Sequence, residues 1–436
     1  MKLKELKESL HELKPYKQYG KVTRVIGLMI ESEGPQASIG DMCSILVRGR
    51  EDILAEVIGF REQQVLLMPY DRIDSIAPGS LVETWNKPLE VSVGHSLIGS
   101  VIDGLGRPME EHGAAGLKKY STDNDPPNPM TRPRIMEPLS LGVRAVDTML
   151  TLGKGQRVGI FAGSGVGKST LMAMTAKNSD ADINVIALIG ERGREVRDFI
   201  ERDLGPEGRK NSIVVVATSD KPALMRIKGA LTATAVAEYF RSQGMNVNLM
   251  MDSVTRVAMA QREVGLAAGE PPTTKGYTPS VFALLPRLLE RSGMSENGSM
   301  TAFYTVLVDG DDMNEPIADT VRGILDGHLV LDRKLANKGH FPAVNVLQSV
   351  SRVMNEIAGE DHKQTAERLR RLISVYESQE DLINIGAYKK GASAEVDEAV
   401  KLYPKIMAFL QQQTEESPRL EESVEAMLVQ FGGGSS

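Results

Sequence analysis

The sequence is poor in the residues on which several classes of protein depend. It has one cysteine, Cys43, six histidines, and only 5% aromatic residues, among them a single tryptophan. One cysteine cannot form an internal disulfide, and no set of Cys and His residues has the spacing of a zinc site, so we expect a reducing compartment. The scarcity of aromatics and the net charge of −7 argue against a protein that stacks nucleic-acid bases in a basic groove.

Long hydrophobic runs are also absent. No stretch reaches the roughly 18 to 20 consecutive apolar residues that cross a bilayer, and the first residues are charged throughout, unlike a secretory signal. We therefore expect a cytoplasmic protein. The chain has 436 residues, of which 41% are hydrophobic and 25% charged, which is enough for roughly two to four folded domains.

The pattern of apolar residues divides the chain into regions. Residues 18–95 contain short apolar runs broken by Gly, Pro and Asp, which predicts a small β-barrel. Residues 96–138 are rich in Gly, Pro, Asn and Asp and predict an irregular connector. From there to residue 348, strongly apolar strands alternate with helical segments, as in an α/β fold with a parallel sheet. Residues 349–436 are charged and predict a C-terminal helical domain.

The first 17 residues have a pattern of their own. An apolar stripe at helical spacing is flanked by lysines and glutamates, and it consists of Leu3, Leu6, Leu10 and Leu13. Such a short helix is marginal in isolation, so we expect it to gain order by docking. The pattern leaves open whether it docks on another protein, on anionic lipid or on the chain's own barrel.

The strongest chemical signal is a glycine-rich loop after the apolar strand "RVGIFA". In "AGSGVGKST" the glycines let backbone N–H groups converge on phosphate oxygens, Lys168 reaches the terminal phosphates and Ser169 can bind Mg²⁺. The motif departs from the usual pattern at Ala162, where its first glycine would stand. The predicted phosphate-binding residues are Gly163, Ser164, Gly165, Val166, Gly167, Lys168, Ser169 and Thr170.

Two acidic residues follow other predicted strands. Asp252 ends "VNLMMD", where a carboxylate at the carboxyl edge of a parallel sheet can hold Mg²⁺ opposite Ser169. Glu191 lies directly beyond the strand "INVIALIG", where it can orient and deprotonate a water aligned with the γ-phosphate. With the loop, these residues predict an Mg²⁺-dependent ATPase whose products are ADP and phosphate.

Four segments resemble the motifs of the catalytic subunits of rotary ATP synthases and their relatives, in the same order and at comparable spacing. They are "AGSGVGKST", "GERGREV", "LMMDSVTR" and "PAVNVLQSVSR". The resemblance covers nearly the whole chain and implies a β-barrel, a P-loop (RecA-like) nucleotide-binding core and a helical domain. The stretches "GERGREVRDFIERDLG" and "GYTPSVFALLPRLLERSG" most resemble the ATPases of bacterial type III protein export, above all the flagellar branch.

The resemblance implies roles for individual residues. Glu191 matches the catalytic base, and Arg192 neighbours it in the site. Arg352 matches an arginine that enters the neighbouring subunit's site and neutralises charge on the transferring phosphoryl group. Phe341 matches an aromatic residue that packs on adenine, although a phenylalanine of the core is the alternative. An arginine acting in trans requires a ring, and the resemblance implies six copies of this chain.

The resemblance also implies partners and a location. In the export family, the N-terminal segment binds a stalk-like regulatory protein and the helical domain surrounds a central coiled-coil stalk. Export-gate membrane proteins, export substrates and chaperones are further partners. These imply a cytoplasmic protein at the inner face of the cell membrane, with peripheral membrane association and no nucleic-acid partner.

Other functions stay open on the sequence alone. A virulence-type secretion ATPase has the same motifs, and a rotary ATP synthase subunit would have a different partner subunit in its ring. A ring helicase of the transcription-termination kind would need an RNA-binding surface. A structural subunit that binds nucleotide without hydrolysing it is disfavoured, because Lys168, Glu191 and Asp252 occur together.

Overall fold

The computed structural model describes residues 18–111, 113, 115–308 and 312–432. The amphipathic helix predicted for residues 1–17 lies outside these ranges. In the described part of the chain, no helix combines the length and the apolar content of a membrane span.

An antiparallel barrel of six strands forms the N-terminal region. Alternate side chains of its strands point inward, and Val22, Ile30, Cys43 and Leu67 pack there with almost no exposure. The strands are β1 Tyr19–Ile26, β2 Met29–Glu33, β3 Met42–Ile45, β4 Ile53–Arg61, β5 Gln64–Pro69 and β6 Leu81–Thr84. Their order around the closed barrel is β1-β2-β5-β4-β3-β6. The predicted barrel is therefore confirmed, and Cys43 is a small buried core residue.

A nine-stranded sheet forms the core of the molecule. The strands that follow the barrel, nine of which form this sheet, are β7 Glu90–Val93, β8 Val101–Asp103, β9 Lys118–Ser121, β10 Pro138–Leu139, β11 Leu152–Gly153, β12 Arg157–Ala162, β13 Ile183–Ile189, β14 Ser212–Ala217, β15 Asn246–Asp252, β16 Gly293–Met294, β17 Ser299–Leu307, β18 Gly327–Leu331 and β19 Val350–Ser351. The sheet order is β19-β18-β12-β17-β15-β13-β14-β8, with β16 paired to β17. Pairing is parallel from β18 to β8 and antiparallel at β16 and β19. The central strands are buried along their whole length, which explains their unbroken apolar sequences.

Helices cover the sheet and form the C-terminal region, as predicted. The α-helices are α1 Arg144–Met149, α2 Lys168–Asn178, α3 Gly193–Asp198, α4 Gly205–Arg209, α5 Ala223–Ser242, α6 Val254–Ala268, α7 Pro279–Leu289, α8 Pro316–Ile324, α9 Arg333–Asn337, α10 Met354–Ile357, α11 Glu360–Asn384, α12 Ala394–Leu410 and α13 Leu420–Phe431. A π-helical segment, Phe199–Leu204, continues α3, and 3₁₀ turns span His95–Leu97 and Thr274–Gly276. Helices α11 to α13 pack against α1 and against one another.

Three strands fall where the sequence patterns do not predict them. Strand β8, within the predicted connector 96–138, extends the main sheet beside β14. Strand β9, in the same segment, pairs with β7. Strand β19 follows the predicted boundary at residue 348 and pairs with β18. The connector is thus less irregular than predicted, and we propose that the ATPase core extends through Ser351.

A buried ion pair joins the barrel to the core. Lys228 of α5 places its Nζ 2.8 Å from Oε2 of Glu56 on β4, and both side chains are buried. The hydroxyl of Tyr70, also buried, donates to the same Glu56 carboxylate. Paired in this way, the Glu56 charge is compensated where water does not reach it.

Candidate active site

The phosphate-binding loop connects the end of β12 to the start of α2. Gly165 and Gly167 have φ of +77° and +92°, a left-handed conformation that glycine adopts without steric cost. Val166, between them, packs into the hydrophobic core and fixes the loop to the sheet. The rest of the predicted loop lines a cavity of about 530 Å³, and Ala162 lines it as well. The loop thus has the conformation that the motif predicts, with Ala162 in place of its first glycine.

The predicted lysine and the two predicted carboxylates meet at this cavity. Nζ of Lys168 lies 2.5 Å from Oδ1 of Asp252 and 3.7 Å from Oε1 of Glu191. Strands β12, β13 and β15 are parallel members of one sheet, so the residues that follow their carboxyl ends meet at a single edge. The sheet topology therefore brings together three residues that are distant in sequence.

Asp252 is held in one orientation by its neighbours. It is 3% exposed, and its Oδ1 accepts a hydrogen bond of 2.7 Å from Oγ1 of Thr305 on the adjacent strand β17. Oδ1 also receives the Lys168 ammonium. A carboxylate that receives two donors on one oxygen keeps its other oxygen for a further ligand.

Glu191 has the electrostatic setting of a general base. Its pKa is raised to about 7, first by burial and then by the Asp252 carboxylate, against the opposing charge of Lys168. Hydrogen bonding with the Glu195 carboxyl raises the pKa as well, while the Arg256 guanidinium, 3.4 Å from Oε2, lowers it. A carboxyl group with a pKa near neutral pH can accept a proton from water more effectively than an ordinary glutamate.

Arg192 and Phe341 lie at the outer part of the site. Arg192 is exposed, lines the cavity and pairs with Glu195 at 3.3 Å. Phe341 is 43% exposed, and its ring carbons lie 3.5 Å from the point where a Cβ on Gly167 would be. That exposure does not fit a phenylalanine of the core. The backbone N–H of Gln412, after α12, donates to the Phe341 carbonyl at 2.9 Å.

The structure does not bring Arg352 to this cavity. The Arg352 N–H donates to the carbonyl of Asp326, and the Asp326 N–H donates to the carbonyl of Arg157, the first residue of β12. The phosphate loop follows the other end of that strand. Five residues at about 3.3 Å each separate Arg157 from Ala162, roughly 16 Å along the strand. The backbone of Arg352 therefore lies about the length of β12 away from its own phosphate loop.

The donor set fits a magnesium ion bound together with nucleotide phosphates. Ser169, the second residue of α2, and Asp252 line the same cavity. Within the described ranges, no group of three or more His, Cys, Asp or Glu side chains could hold a metal ion alone. Mg²⁺ commonly uses one or two protein oxygens and completes its shell with phosphate oxygens and water.

Protein-family models match three segments of the chain. The nucleotide-binding domain of the ATP synthase alpha/beta family matches residues 142–351, and the beta-barrel domain of that family matches residues 22–85. The T3SS EscN ATPase C-terminal domain matches residues 358–428. The chain belongs to the ATP synthase alpha/beta family. The fold class predicted from the sequence is thereby confirmed.

Relatives place this member of the ATP synthase alpha/beta family among type III export ATPases. It is 65% identical to the flagellum-specific ATP synthase of Bacillus subtilis (strain 168), over 98% of both chains. It is 50% identical to the type 3 secretion system ATPase of Xanthomonas euvesicatoria, over 97% of this chain and 96% of the relative. The assembled ATPase EscN from the type III secretion system of enteropathogenic E. coli superimposes with a TM-score of 0.88 at 46% identity, covering 94% of this chain and 99% of EscN.

Three residues of this ATP synthase family member contact the predicted site without being singled out by the sequence patterns. Thr305 bonds Asp252, while Arg256 and Glu195 contact Glu191. Arg256 also donates to the carbonyl of Gly190. The sequence signal for Thr305 is a polar residue within the apolar run "TAFYTVLV". The signal for Arg256 is an arginine one helical turn after Asp252.

Proposed function

We propose that this protein is the ATPase of a type III export apparatus of the flagellar branch. It hydrolyses ATP to ADP and phosphate and uses the reaction to unfold export substrates or release them from chaperones at the export gate. The observation that carries the proposal is the cluster of Lys168, Glu191 and Asp252 beside the phosphate loop, in a chain 65% identical to a flagellum-specific ATP synthase. The 50% identity to a type 3 secretion system ATPase makes the virulence branch the second candidate.

We propose the following roles at the nucleotide site. Backbone N–H groups of residues 163–170 and the Lys168 ammonium bind the phosphates of ATP. The Ser169 hydroxyl and the Asp252 carboxylate hold Mg²⁺, which neutralises phosphate charge when bound. Glu191 accepts the proton of the attacking water, with Arg192 at the rim of the same cavity. The exposed ring of Phe341, next to Gly167, packs on the adenine.

We further propose that the active protein is a ring of six identical subunits. The register of β19 places Arg352 at the opposite end of the sheet from its own phosphate loop, and in a ring it enters the site of the adjacent subunit. The solved structure of assembled EscN, including its complex with the central stalk EscO, supports a ring around a central coiled-coil stalk here.

Other partners and the location are proposed on the same grounds. Residues 1–17 bind a stalk-like regulatory protein, and the C-terminal helical region meets export substrates and chaperones. The ring works in the cytoplasm and docks peripherally on export-gate proteins at the inner face of the cell membrane.

A single substitution tests the proposed function. Glu191→Gln retains the size of the side chain but removes the proton acceptor, so we expect ATP binding to persist while turnover falls by ~10²–10⁴ and flagellar filaments fail to assemble. Glu201→Gln is the matched control, because Glu201 is an exposed glutamate on the π-helical segment that continues α3. Normal filament assembly by the Glu191→Gln strain would refute the role of hydrolysis. Loss of virulence-protein secretion with intact motility would select the virulence branch.

A further inference from the structure

We propose that Gln156 is a positioning residue that holds Arg352 in place for catalysis in the adjacent subunit. Gln156 precedes β12 and is completely buried. Its amide Nε2 lies 3.3 Å from Oγ of Ser351 and 3.1 Å from the carbonyl oxygen of Asp326. These two acceptors flank Arg352, since Ser351 precedes it and the Asp326 carbonyl also receives the Arg352 N–H. The proposal rests on the ring proposed above.

The orientation of the Gln156 amide is fixed from both sides. Its Oε1 accepts a hydrogen bond of 2.9 Å from the N–H of Gly153, which leaves the two N–H bonds of Nε2 for Ser351 and Asp326. The flipped amide would place its oxygen against two acceptors, one of them a carbonyl. The Gln156 backbone is also held, because its carbonyl accepts from the N–H of Ala302 on β17.

A glycine opens the space that Gln156 spans. Strand β18 lies between β12 and β19 in the sheet, and its first residue is Gly327, which pairs with Ser351. A Cβ on Gly327 would be 3.1 Å from Nε2 of Gln156 and 2.5 Å from the carbonyl oxygen of Val350. The absence of a side chain therefore lets the glutamine just before β12 reach the Ser351 hydroxyl on β19, two strands away.

Two further contacts anchor the same segment. Oγ of Ser351 donates to the carbonyl of Thr151 at 2.9 Å. The Asp326 carboxylate receives the Arg157 guanidinium through hydrogen bonds of 2.9 and 3.0 Å. Strand β19 has only two residues, so its backbone hydrogen bonds to β18 are too few to fix the chain that follows. Gln156 connects the Ser351 contact with the Asp326 contact.

The side chain of Arg352 is not held in the way that its backbone is. The Arg352 side chain is exposed, and among the described residues it has no hydrogen bond or ion pair. A fixed backbone with an uncommitted guanidinium is the arrangement that a group acting on a neighbouring subunit needs. Misplacing such a group by about 1 Å costs on the order of 10² in rate, because the transition-state charge is no longer matched.

Gln156→Met tests the proposal, because methionine retains the length of the side chain but donates no hydrogen bond. We expect turnover at saturating ATP to fall by ~10², with nucleotide affinity unchanged because the phosphate loop is intact. The matched control is Gln261→Met. Gln261 donates to Oγ of Ser280 at 3.1 Å, a contact of the same type that is remote from Arg352, and its turnover should match that of the unmodified protein. A Gln156→Met protein with normal turnover would overturn the proposal.

Mixed rings separate positioning in trans from damage to the variant's own site. Gln156→Met subunits keep a working phosphate loop, whereas Lys168→Ala subunits keep a correctly held Arg352. In a 1:1 mixture, about a quarter of the interfaces combine the two intact halves, so two inactive proteins should regain activity of about that fraction when mixed. If Gln156 acts only on its own subunit's fold or site, mixing restores nothing.

A parallel mixture distinguishes failure of this inference from failure of the proposed ring. Arg352→Ala with Lys168→Ala must regain activity if Arg352 acts in trans. Recovery there without recovery for Gln156→Met overturns the positioning role alone. No recovery in either mixture overturns the trans arrangement and the inference with it. Ser351→Ala, which removes the partner hydroxyl, provides a second variant with the same expected pattern if Gln156→Met does not fold.

Discussion

At the scale of single residues, the site is defined by the different surroundings of the Glu191 and Asp252 carboxyl groups. Both carboxyl groups are buried and both face Lys168. Asp252 receives two donors on one oxygen, whereas the pKa of Glu191 is raised to about 7 by burial and by Asp252. Two carboxyl groups in one cavity thus have different partners and surroundings, which fits one for metal binding and the other for proton transfer.

The raised pKa of Glu191 predicts how activity depends on pH. The base must be ionised, so kcat/KM for ATP should fall as the pH decreases through about 7, the pKa of the free enzyme's Glu191. The groups facing it are Asp252, Lys168, Arg256 and Glu195.

The raised pKa of Glu191 also predicts how stability depends on pH. The free energy of unfolding should fall as the pH rises from the ordinary glutamate range through about 7, because the folded state favours the neutral form of Glu191. Glu191→Gln should remove this part of the pH dependence of urea unfolding, and an unchanged profile would contradict the assignment.

Thr305 should tune magnesium binding through Asp252. Thr305→Val retains the shape but removes the hydrogen bond to Oδ1, so we expect a roughly tenfold higher Mg²⁺ concentration for half-maximal activity, from the loss of about 1.5 kcal/mol in a charge-assisted bond. Thr301→Val on the same strand is the control, because Thr301 accepts from Gly155 outside the cavity. Equal Mg²⁺ requirements for both variants would show that Thr305 has only a structural role.

The site residues differ in how far sequence could reveal them. Lys168, Glu191 and Asp252 follow strands of a parallel sheet, so their convergence follows from the strand pattern alone. The contacts of Thr305 and Gln156 depend on which strands are neighbours and on their register. A single sequence does not contain that information, which is why neither residue is predicted from it.

At the scale of elements, long strands follow from sequence and short ones do not. The barrel strands and β12, β13, β14, β15 and β17 include apolar runs with a recognisable period or length. Strands β8 and β19 have three and two residues, too few for any periodicity, and they exist because a sheet edge has free backbone groups to pair with. The outer strands of the core therefore become visible only in three dimensions.

The ion pair between barrel and core predicts a large effect on stability. Lys228→Met leaves the buried Glu56 without its cation, and the free energy of unfolding should fall by roughly 3–5 kcal/mol. Adding Glu56→Gln should recover part of that loss, because the uncompensated charge is gone. Lys210→Met is the control, since Lys210 pairs with Glu207 on the surface and such pairs contribute about 1 kcal/mol or less. Urea unfolding followed by circular dichroism measures all three, and similar losses for Lys228→Met and Lys210→Met would contradict the argument.

At the scale of the whole molecule, we propose that one subunit is an incomplete enzyme. Its cavity has the phosphate loop and both carboxylates, yet Arg352 lies at the other end of the sheet. The family resemblance implies an arginine in the site, and the fold of a single chain cannot supply it. Catalysis should therefore depend on assembly, and activity per subunit should rise with protein concentration.

Removal of Arg352 should separate binding from turnover. Arg352→Ala leaves the phosphate loop unchanged, so ATP affinity should stay close to that of the unmodified protein, while turnover falls by ~10³ or more. Arg371→Ala is the control, since Arg371 is another exposed arginine and pairs with Glu395. Binding of a fluorescent nucleotide and phosphate release measure the two quantities. Undiminished phosphate release by Arg352→Ala would remove this residue from the mechanism.

The two ends of strand β12 lie beside two different functional groups. Its carboxyl end leads into the loop that receives the subunit's own nucleotide, and Gln156, just before its amino end, ties down the arginine meant for the next subunit. Six residues join these ends, all of them paired with β17 and the last four also with β18. In the proposed ring, a shift of one subunit's phosphate loop is therefore expected to move the arginine that enters the adjacent subunit's site.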